Sequence, residues 1–309
     1  MDPRQLCERH ETSPDPVPRQ VSRHDPEKLY PGFPGTEPDD HIRTIPACAA
    51  LGMTQRAIIG QPVLTTLDAA LPAVCDAQGR ISRGAALVLA DQATAGGVFT
   101  TLPRPTPMMT LDLRVDWFGP LPASPISCTI DEVTREGDLA LSRGRLVADG
   151  KPVGAATARY LIGSMPGGTP GRMDERHDVL PPSPAATFAD YLGADASPDG
   201  MTMQPRVEHV GAPLPAYHGG VIAGLLEHAG VSSIDAAFRP LDIEIRFLAP
   251  ALATLPLVAR VVPRRIGRRA ITLDIEAHQG DPNRPVALAR MLAITDPAGD
   301  PVRHDLPHG

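Results

Sequence analysis

The sequence predicts an α+β protein in which a fully buried helix is wrapped by an antiparallel sheet, and it predicts that arrangement twice. Three observations carry this. The run Tyr217 to Ile234, YHGGVIAGLLEHAGVSSI, is apolar or small at almost every position from Gly219 onward, with Glu227 its only formal charge. Apolar residues on all sides exclude a surface helix with one wet face, so something must enclose it. A second such stretch, Ser82 to Phe99, SRGAALVLADQATAGGVF, has Asp91 as its only charge after Gly84, nine residues after Ser82, just as Glu227 stands nine after His218. Each stretch is followed by four closely spaced segments with partial period-two alternation, the pattern of an antiparallel meander.

Taken in order, residues 1 to 46 are rich in Pro, Asp, Arg and His and are expected to form an extended arm, because they hold too little apolar surface to offset the entropy of ordering. ACAALGMTQRAIIG begins with helix-like composition and passes into an extended run at Ala57 to Ile59; QPVLTTLDAALPAVCDAQGR is expected to supply loops and a turn before the first buried helix. Strands are expected at Thr110 to Phe118, Ser127 to Val133, Ala140 to Ala148 and Val153 to Ile162, completing a first domain over 47–163. A Gly- and Pro-rich linker spans 164–184. The second domain, 185–309, opens with a short helix in ATFADYL and strand residues in MTMQPRVEHV. Its own meander follows the second buried helix at Leu241 to Leu248, Leu255 to Val262, Ala270 to Ala277 and Val286 to Ile294.

Composition narrows the function. The chain has 309 residues, 42% of them hydrophobic, enough for two cores. A net charge of −7 leaves no electrostatic footprint for nucleic acid. Cys7, Cys48, Cys75 and Cys128 show neither a metal-ligand spacing nor a disulfide framework, which points to a reduced, cytoplasmic protein. No signal peptide and no membrane span is expected.

The two halves stay in register. LDLRVDWFGPL from Leu111 matches LDIEIRFLAPA from Leu241, an offset of 130 residues that still holds at Gly137 and Gly267; it becomes 133 at KPVGAATARYLI against RPVALARMLAIT, and is 136 between Asp91 and Glu227. The run HGGVIAGLLE followed by LDIEIRFLAP resembles the HGG-type hotdog thioesterases, the branch that includes phenylacetyl-CoA and 4-hydroxybenzoyl-CoA thioesterases. The resemblance implies a tandem double hotdog, two long central helices inside one continuous antiparallel sheet, with one polypeptide supplying both halves of the usual dimer. It implies hydrolysis of acyl-CoA, with coenzyme A present only as part of the substrate and no cofactor, and it allows a homodimer of double-hotdog chains.

Thioester hydrolysis needs donors where charge develops on the carbonyl oxygen, and a base or nucleophile at the carbonyl carbon. Amides at a helix N-terminus supply the former, and Gly219 and Gly220 suit that role. The resemblance places the HGG end of one half against the carboxylate of the other. Site one then combines His218, Gly219 and Gly220 with Asp91; site two combines Arg83 and Gly84 with Glu227. The family also favours a polar residue fifteen positions before the carboxylate. Here that position holds Asp76 in the first half but Ala212 in the second. Asp76 beside Glu227 is expected to raise the pKa of one of the two, and its presence ranks Glu227 above Asp91 as the carboxylate that matters. Arg83 either crowds the thioester or binds a phosphate of coenzyme A, and the basic turn Arg264, Arg265, Arg268 and Arg269 either is a solvated hairpin or holds those phosphates.

Other readings of the same residues remain open. Glu227 or Asp91 can serve as a cap or as the partner of a buried Arg, and His218 can orient substrate instead of acting as a base. His209, His218, Glu227 and His228 lack a tight metal-ligand spacing. A non-catalytic acyl-CoA-binding or sensing module is the alternative function. A hotdog hydratase is a weaker third, for want of an Asp/His pair at the spacing that branch uses.

Overall fold

The computed structural model describes residues 40–56, 62–102, 106–163, 179–197, 200–211 and 215–295. Within the first half lie helices α1 (Asp40–Arg43), α2 (Pro46–Ala50) and α3 (Arg83–Phe99), and strands β1 (Thr54–Arg56), β2 (Leu64–Leu67), β3 (Met108–Trp117), β4 (Ile126–Glu136), β5 (Leu139–Ala148) and β6 (Lys151–Ile162). The second half supplies helices α4 (Phe188–Leu192) and α5 (Gly219–Ser232), and strands β7 (Ala194–Ser197), β8 (Gly200–Met203), β9 (Phe238–Phe247), β10 (Leu257–Ile266), β11 (Ala270–His278) and β12 (Pro285–Thr295). All twelve strands join one antiparallel sheet in the order β1-β2-β4-β5-β6-β3-β9-β12-β11-β10-β8-β7. The second six positions mirror the first, with β9 standing where β3 stands.

The halves are joined by β3 and β9, paired antiparallel from Asp112↔Arg246 to Asp116↔Asp242. At the centre of that register Arg114 faces Glu244. These two positions are themselves 130 residues apart, so repeat-equivalent residues meet there and a pseudo-twofold axis passes through the pair. Arg114 also reaches Asp116 at 2.6 Å and Asp242 at 2.9 Å on the outer face. Exposed pairs of this kind contribute little stability; the inner face does more. Leu113, Val115, Ile243 and Ile245 alternate inward and are buried against the two helices.

The symmetry axis makes α3 and α5 antiparallel, and they touch almost without intervening side chains. A Cβ added at Gly220 would lie 2.4 Å from Val88 Cα, and one added at Gly224 would lie 3.3 Å from the Gly84 carbonyl oxygen. These are equivalent contacts on either side of the axis. The meander turns use the expected chemistry: Asp149 (φ 49°) and Gly150 (φ 71°) both take positive φ in the two-residue β5–β6 hairpin, as a type I′ turn requires.

The structure departs from the sequence reading in several places. Leu64 to Leu67, expected as loop, is strand β2, and with β1 and the unexpected β7 it extends each half of the sheet by short edge strands. Such strands of three or four residues leave a pattern too short to separate from loop. The extended arm does not run to residue 46, because Ile42 and Ile45 are buried in the core. Arg264 and Arg265 belong to β10, which has a bulge between Pro263 and Arg265, and only Arg268 and Arg269 lie in the turn. The expected extended run at Ala57 to Ile59, most of the arm and most of the linker lie outside the described residues, as does Ala212.

Because Val88 Cα is backbone and cannot rotate away, Gly220→Ala is expected to force the helices apart. Overpacking at such a contact costs roughly 1–3 kcal/mol, and denaturant unfolding of the variant should show a loss of that size.

Candidate active site

Asp91 lies in the middle of α3 and is only 5% exposed. The antiparallel helix pair sets its carboxylate against the first turn of α5. Gly220 N–H donates to Asp91 Oδ2 at 2.8 Å, and the Thr110 hydroxyl, from β3, donates to Asp91 Oδ1 at 3.1 Å. The positive end of the α5 dipole adds to both. Gly219 is small for a reason the sequence did not disclose: a Cβ there would sit 2.8 Å from Asp91 Oδ2, in the path of the carboxylate. Its amide, at the first helical position, donates to no described residue and is available to an incoming oxygen. Gly220 is small because of Val88, and so serves the helix contact instead of leaving room for a thioester.

His218 is the N-cap of α5, and its Nδ1 accepts from Gly220 N–H at 3.0 Å. That bond requires an unprotonated Nδ1, and burial pushes the imidazole pKa down while Asp91 raises it. A neutral ring with its proton on Nε2 fits the surroundings, where Gln92 Oε1 lies at 3.4 Å and Cys48 Sγ at 3.8 Å. Tyr160 holds the turn of α3 behind Asp91, with its hydroxyl 2.7 Å from Thr94 Oγ1 and 3.2 Å from the Asp91 carbonyl oxygen.

Site two occupies the equivalent place at the other end of the helix pair, and its polar groups differ. By the repeat offsets, Thr94 becomes Gly230, Gln92 becomes His228, Thr110 becomes Pro240, Tyr160 becomes Ala293 and His218 becomes Ser82. The strand registers agree, since Thr110 pairs with Tyr160 and Pro240 with Ala293. Glu227, 7% exposed, therefore lacks a counterpart of the Thr110 hydroxyl, and its carboxylate accepts no hydrogen bond from the described residues. Burial pushes its pKa up to about 7, with Arg83 pulling the other way. Arg83 takes the place of Gly219. Its Nη2 reaches the Gly119 carbonyl oxygen at 3.5 Å, and its Nε is buried without a hydrogen-bond partner.

One expectation is corrected here. Asp76 does not bond to Glu227; its carboxylate accepts from the amides of Gln78 and Arg80 at 2.9 Å and pairs with the Arg80 guanidinium in a closed turn, and it bears on site two only through its charge, which raises the pKa of Arg83. The pKa of Glu227 is raised by burial, not by a second carboxylate. Arg269 O accepts from Thr295 N, at the edge where β12 ends and β9 begins, which is the C-terminal end of α5 and hence the end of Arg83. Arg264 is bound to Asp274 at 2.6 Å, while Arg265 and Arg268 are exposed and form no ion pair among the described residues. Thr110, Gln92 and Tyr160 were missed in the sequence. Laying the two halves side by side at the known offsets would have exposed them, as polar residues whose counterparts are Pro240, His228 and Ala293.

Residues 210–294 match the family model of the acyl-CoA thioesterase N-terminal domain. No curated protein matches the chain by sequence. Among solved structures, the tesB protein of Mycobacterium avium subs paratuberculosis is similar with a TM-score of 0.56 at 11% identity, over 81% of this chain and 98% of that one. The 12:0-ACP thioesterase from Umbellularia californica gives 0.53 at 9% identity, over 75% and 94% of the two chains. A conserved protein of unknown function with a hot dog fold from Alicyclobacillus acidocaldarius gives 0.50 at 16%, over 77% and 94%. At these identities the likeness shows the fold, a double hotdog, and the family match falls within the second half. No helix among the described residues is long and apolar enough to cross a membrane.

The raised pKa of Glu227 has a consequence for stability. The folded state prefers the neutral acid, so the contribution is fully present below the ordinary pKa of 4.5 and is lost as pH rises through about 7. The loss amounts to about 3 kcal/mol at pH 8. Glu227→Gln is expected to leave the melting temperature unchanged at pH 4.5 and raise it at pH 8; equal shifts at both pH values would show that the carboxylate ionises freely in the fold.

Proposed function

We propose that this double-hotdog chain is an acyl-CoA thioesterase that hydrolyses at one of its two composite sites, the one formed by Asp91 and the His218-Gly219-Gly220 turn. The observation behind this reading is the Asp91 carboxylate, oriented by Gly220 N–H and Thr110 at the N-terminus of the opposing helix. The His-Gly-Gly turn is what favours the HGG branch among thioesterases.

Asp91 takes the proton of a water molecule as its oxygen attacks the thioester carbonyl carbon. Charge on the carbonyl oxygen is met by the free Gly219 amide and by the dipole of α5. Collapse of the tetrahedral adduct expels the thiolate of coenzyme A and leaves the free acid. Thr110 keeps the carboxylate from rotating. Neutral His218 fixes the first turn of α5 and takes no proton from water, since its Nδ1 is already an acceptor. Site two offers Glu227 no donor and puts a guanidinium where Gly219 stands in site one. The ranking expected from sequence is therefore reversed in this reading, with Asp91 above Glu227.

Thiol release from a panel of acyl-CoA esters tests this. Asp91→Asn is expected to lower kcat by about 10² to 10⁴ and Thr110→Val by about tenfold or more, the worth of a hydrogen bond to a charged group, while Glu227→Gln stays near the parent rate. Full activity in Asp91→Asn beside a dead Glu227→Gln would move the chemistry to site two. Binding of acyl-CoA without thiol release by the parent chain would instead support the sensing alternative.

A further inference from the structure

The Gly220 N–H at the start of α5 has two acceptors. It donates to Asp91 Oδ2 at 2.8 Å and to His218 Nδ1 at 3.0 Å, and these two atoms stand 3.4 Å apart. Both side chains are more than nine-tenths buried. Two buried acceptors that share one donor are a proton short, and a single proton placed between Oδ2 and Nδ1 serves both. On the far side of the ring, His218 Nε2 lies 3.4 Å from Gln92 Oε1, and the Cys48 thiol donates to the same oxygen at 3.6 Å. With the thiol holding the amide oxygen toward the ring, the imidazole proton belongs on Nε2, and Nδ1 is kept bare.

We propose that His218 is the second proton carrier of site one: the proton that Asp91 takes from water passes from Asp91 Oδ2 to His218 Nδ1, the nitrogen that Gln92 and Cys48 keep bare. The proposal rests on the hydrolytic reading of site one, and the proton reaches His218 only through Asp91. As the water oxygen bonds to the thioester carbon, its proton goes to Oδ2 and the carbonyl electron pair goes to the oxygen that faces the Gly219 amide. Transfer to Nδ1 restores the carboxylate and leaves an imidazolium, while Gly220 N–H keeps its bond to Oδ2. When the C–S bond breaks, its electron pair leaves on sulfur and the proton returns through Asp91 to the thiolate. Water is the only co-reactant.

The groups around the ring decide how firmly the proton is held. Asp91 on α3 favours the imidazolium, while burial and the positive end of the α5 dipole oppose it. Gln92, also on α3, is neutral. Cys48 on α2 stays a thiol, its pKa pushed up by burial and by Asp91. His209, whose carbonyl accepts from His218 N–H at 2.9 Å, has its own imidazole pKa pushed down by burial. A carrier favoured by one neighbour and opposed by its surroundings gives the proton up again, as turnover requires. Site two has no such pair, with Ser82 in place of His218 and His228 in place of Gln92.

Full-length His218→Asn separates the carrier from the helix cap, because an Asn oxygen still caps Gly220 N–H but takes up no proton. Octanoyl and benzoyl thioesters of pantetheine and of thiophenol are the probes, since thiophenolate is the better leaving group and needs the returned proton least. For the pantetheine esters the variant is expected to lose about 10² in kcat with KM within about twofold, and for the thiophenol esters to lose less than about tenfold. A merely structural role lowers both series alike. Equal losses, or parent rates in His218→Asn beside an inactive Asp91→Asn, overturn the proposal and leave the hydrolytic reading standing. Parent rates in Asp91→Asn, or no thiol release from any ester by the parent chain, remove that reading and the proposal with it. Nitrogen-15 spectra of the histidine-labelled parent at pH 7 test the carrier without turnover: His218, assigned by its loss in the variant, is expected to be protonated on Nε2 alone, and a proton on Nδ1 overturns the proposal. Should His218→Asn fail to fold by circular dichroism, Gln92→Leu takes its place; it releases the tautomer and is expected to show the same contrast between the two thiols, so that equal losses overturn the proposal.

Discussion

The contact between α3 and α5 is the constraint from which the rest follows. With Val88 Cα against Gly220 and the Gly84 carbonyl against Gly224, the helices run closer than side chains would allow, and the pseudo-twofold axis makes them antiparallel. Each helix then delivers its N-terminal amides to the middle of the other, where the single carboxylate stands. Neither half has a complete site by itself. A helix dipole is felt only within about its first turn, so a shift of one turn along this contact would separate Asp91 from the amide that orients it.

Around this symmetric frame the chemistry is unsymmetric. Asp91 is met by a backbone amide, a hydroxyl and a helix terminus, three favourable partners for a buried negative charge. Glu227 is one methylene longer and stands at the N-terminus of α3, but no amide or hydroxyl of the described residues bonds to it, and burial pushes its pKa up to about 7. The difference lies in the lining more than in the carboxylates. Replacing Thr110 by Pro240 removes the one donor from the strand side, and replacing Gly219 by Arg83 puts a bulky cation on the helix side.

Asp91, Glu227 and the HGG turn stood out in the sequence as lone charges in apolar helices and a pair of glycines at a helix start, and packing supplies a structural reason for each glycine. Asp76 was misplaced by the same method. It stands at the right distance in sequence, yet the Arg four residues later closes a turn on it before any longer-range partner can compete. Spacing gives the position of a residue and leaves its local hydrogen bonds unstated.

The sequence alone determined the duplication, the two buried helices and the eight long strands, because periodicity and self-similarity are written in residue order; the pairing of each helix N-terminus with a carboxylate from the other half was implied by the family resemblance. The tertiary structure decided which of the two sites is equipped. That depends on Thr110 on β3, Gln92 and Tyr160 arriving around Asp91 from three separate elements, and on the absence of their counterparts around Glu227. Residues brought together across a sheet and two helices leave no joint signal along the chain, so only packing could show that one carboxylate is held in place and the other is left without a partner.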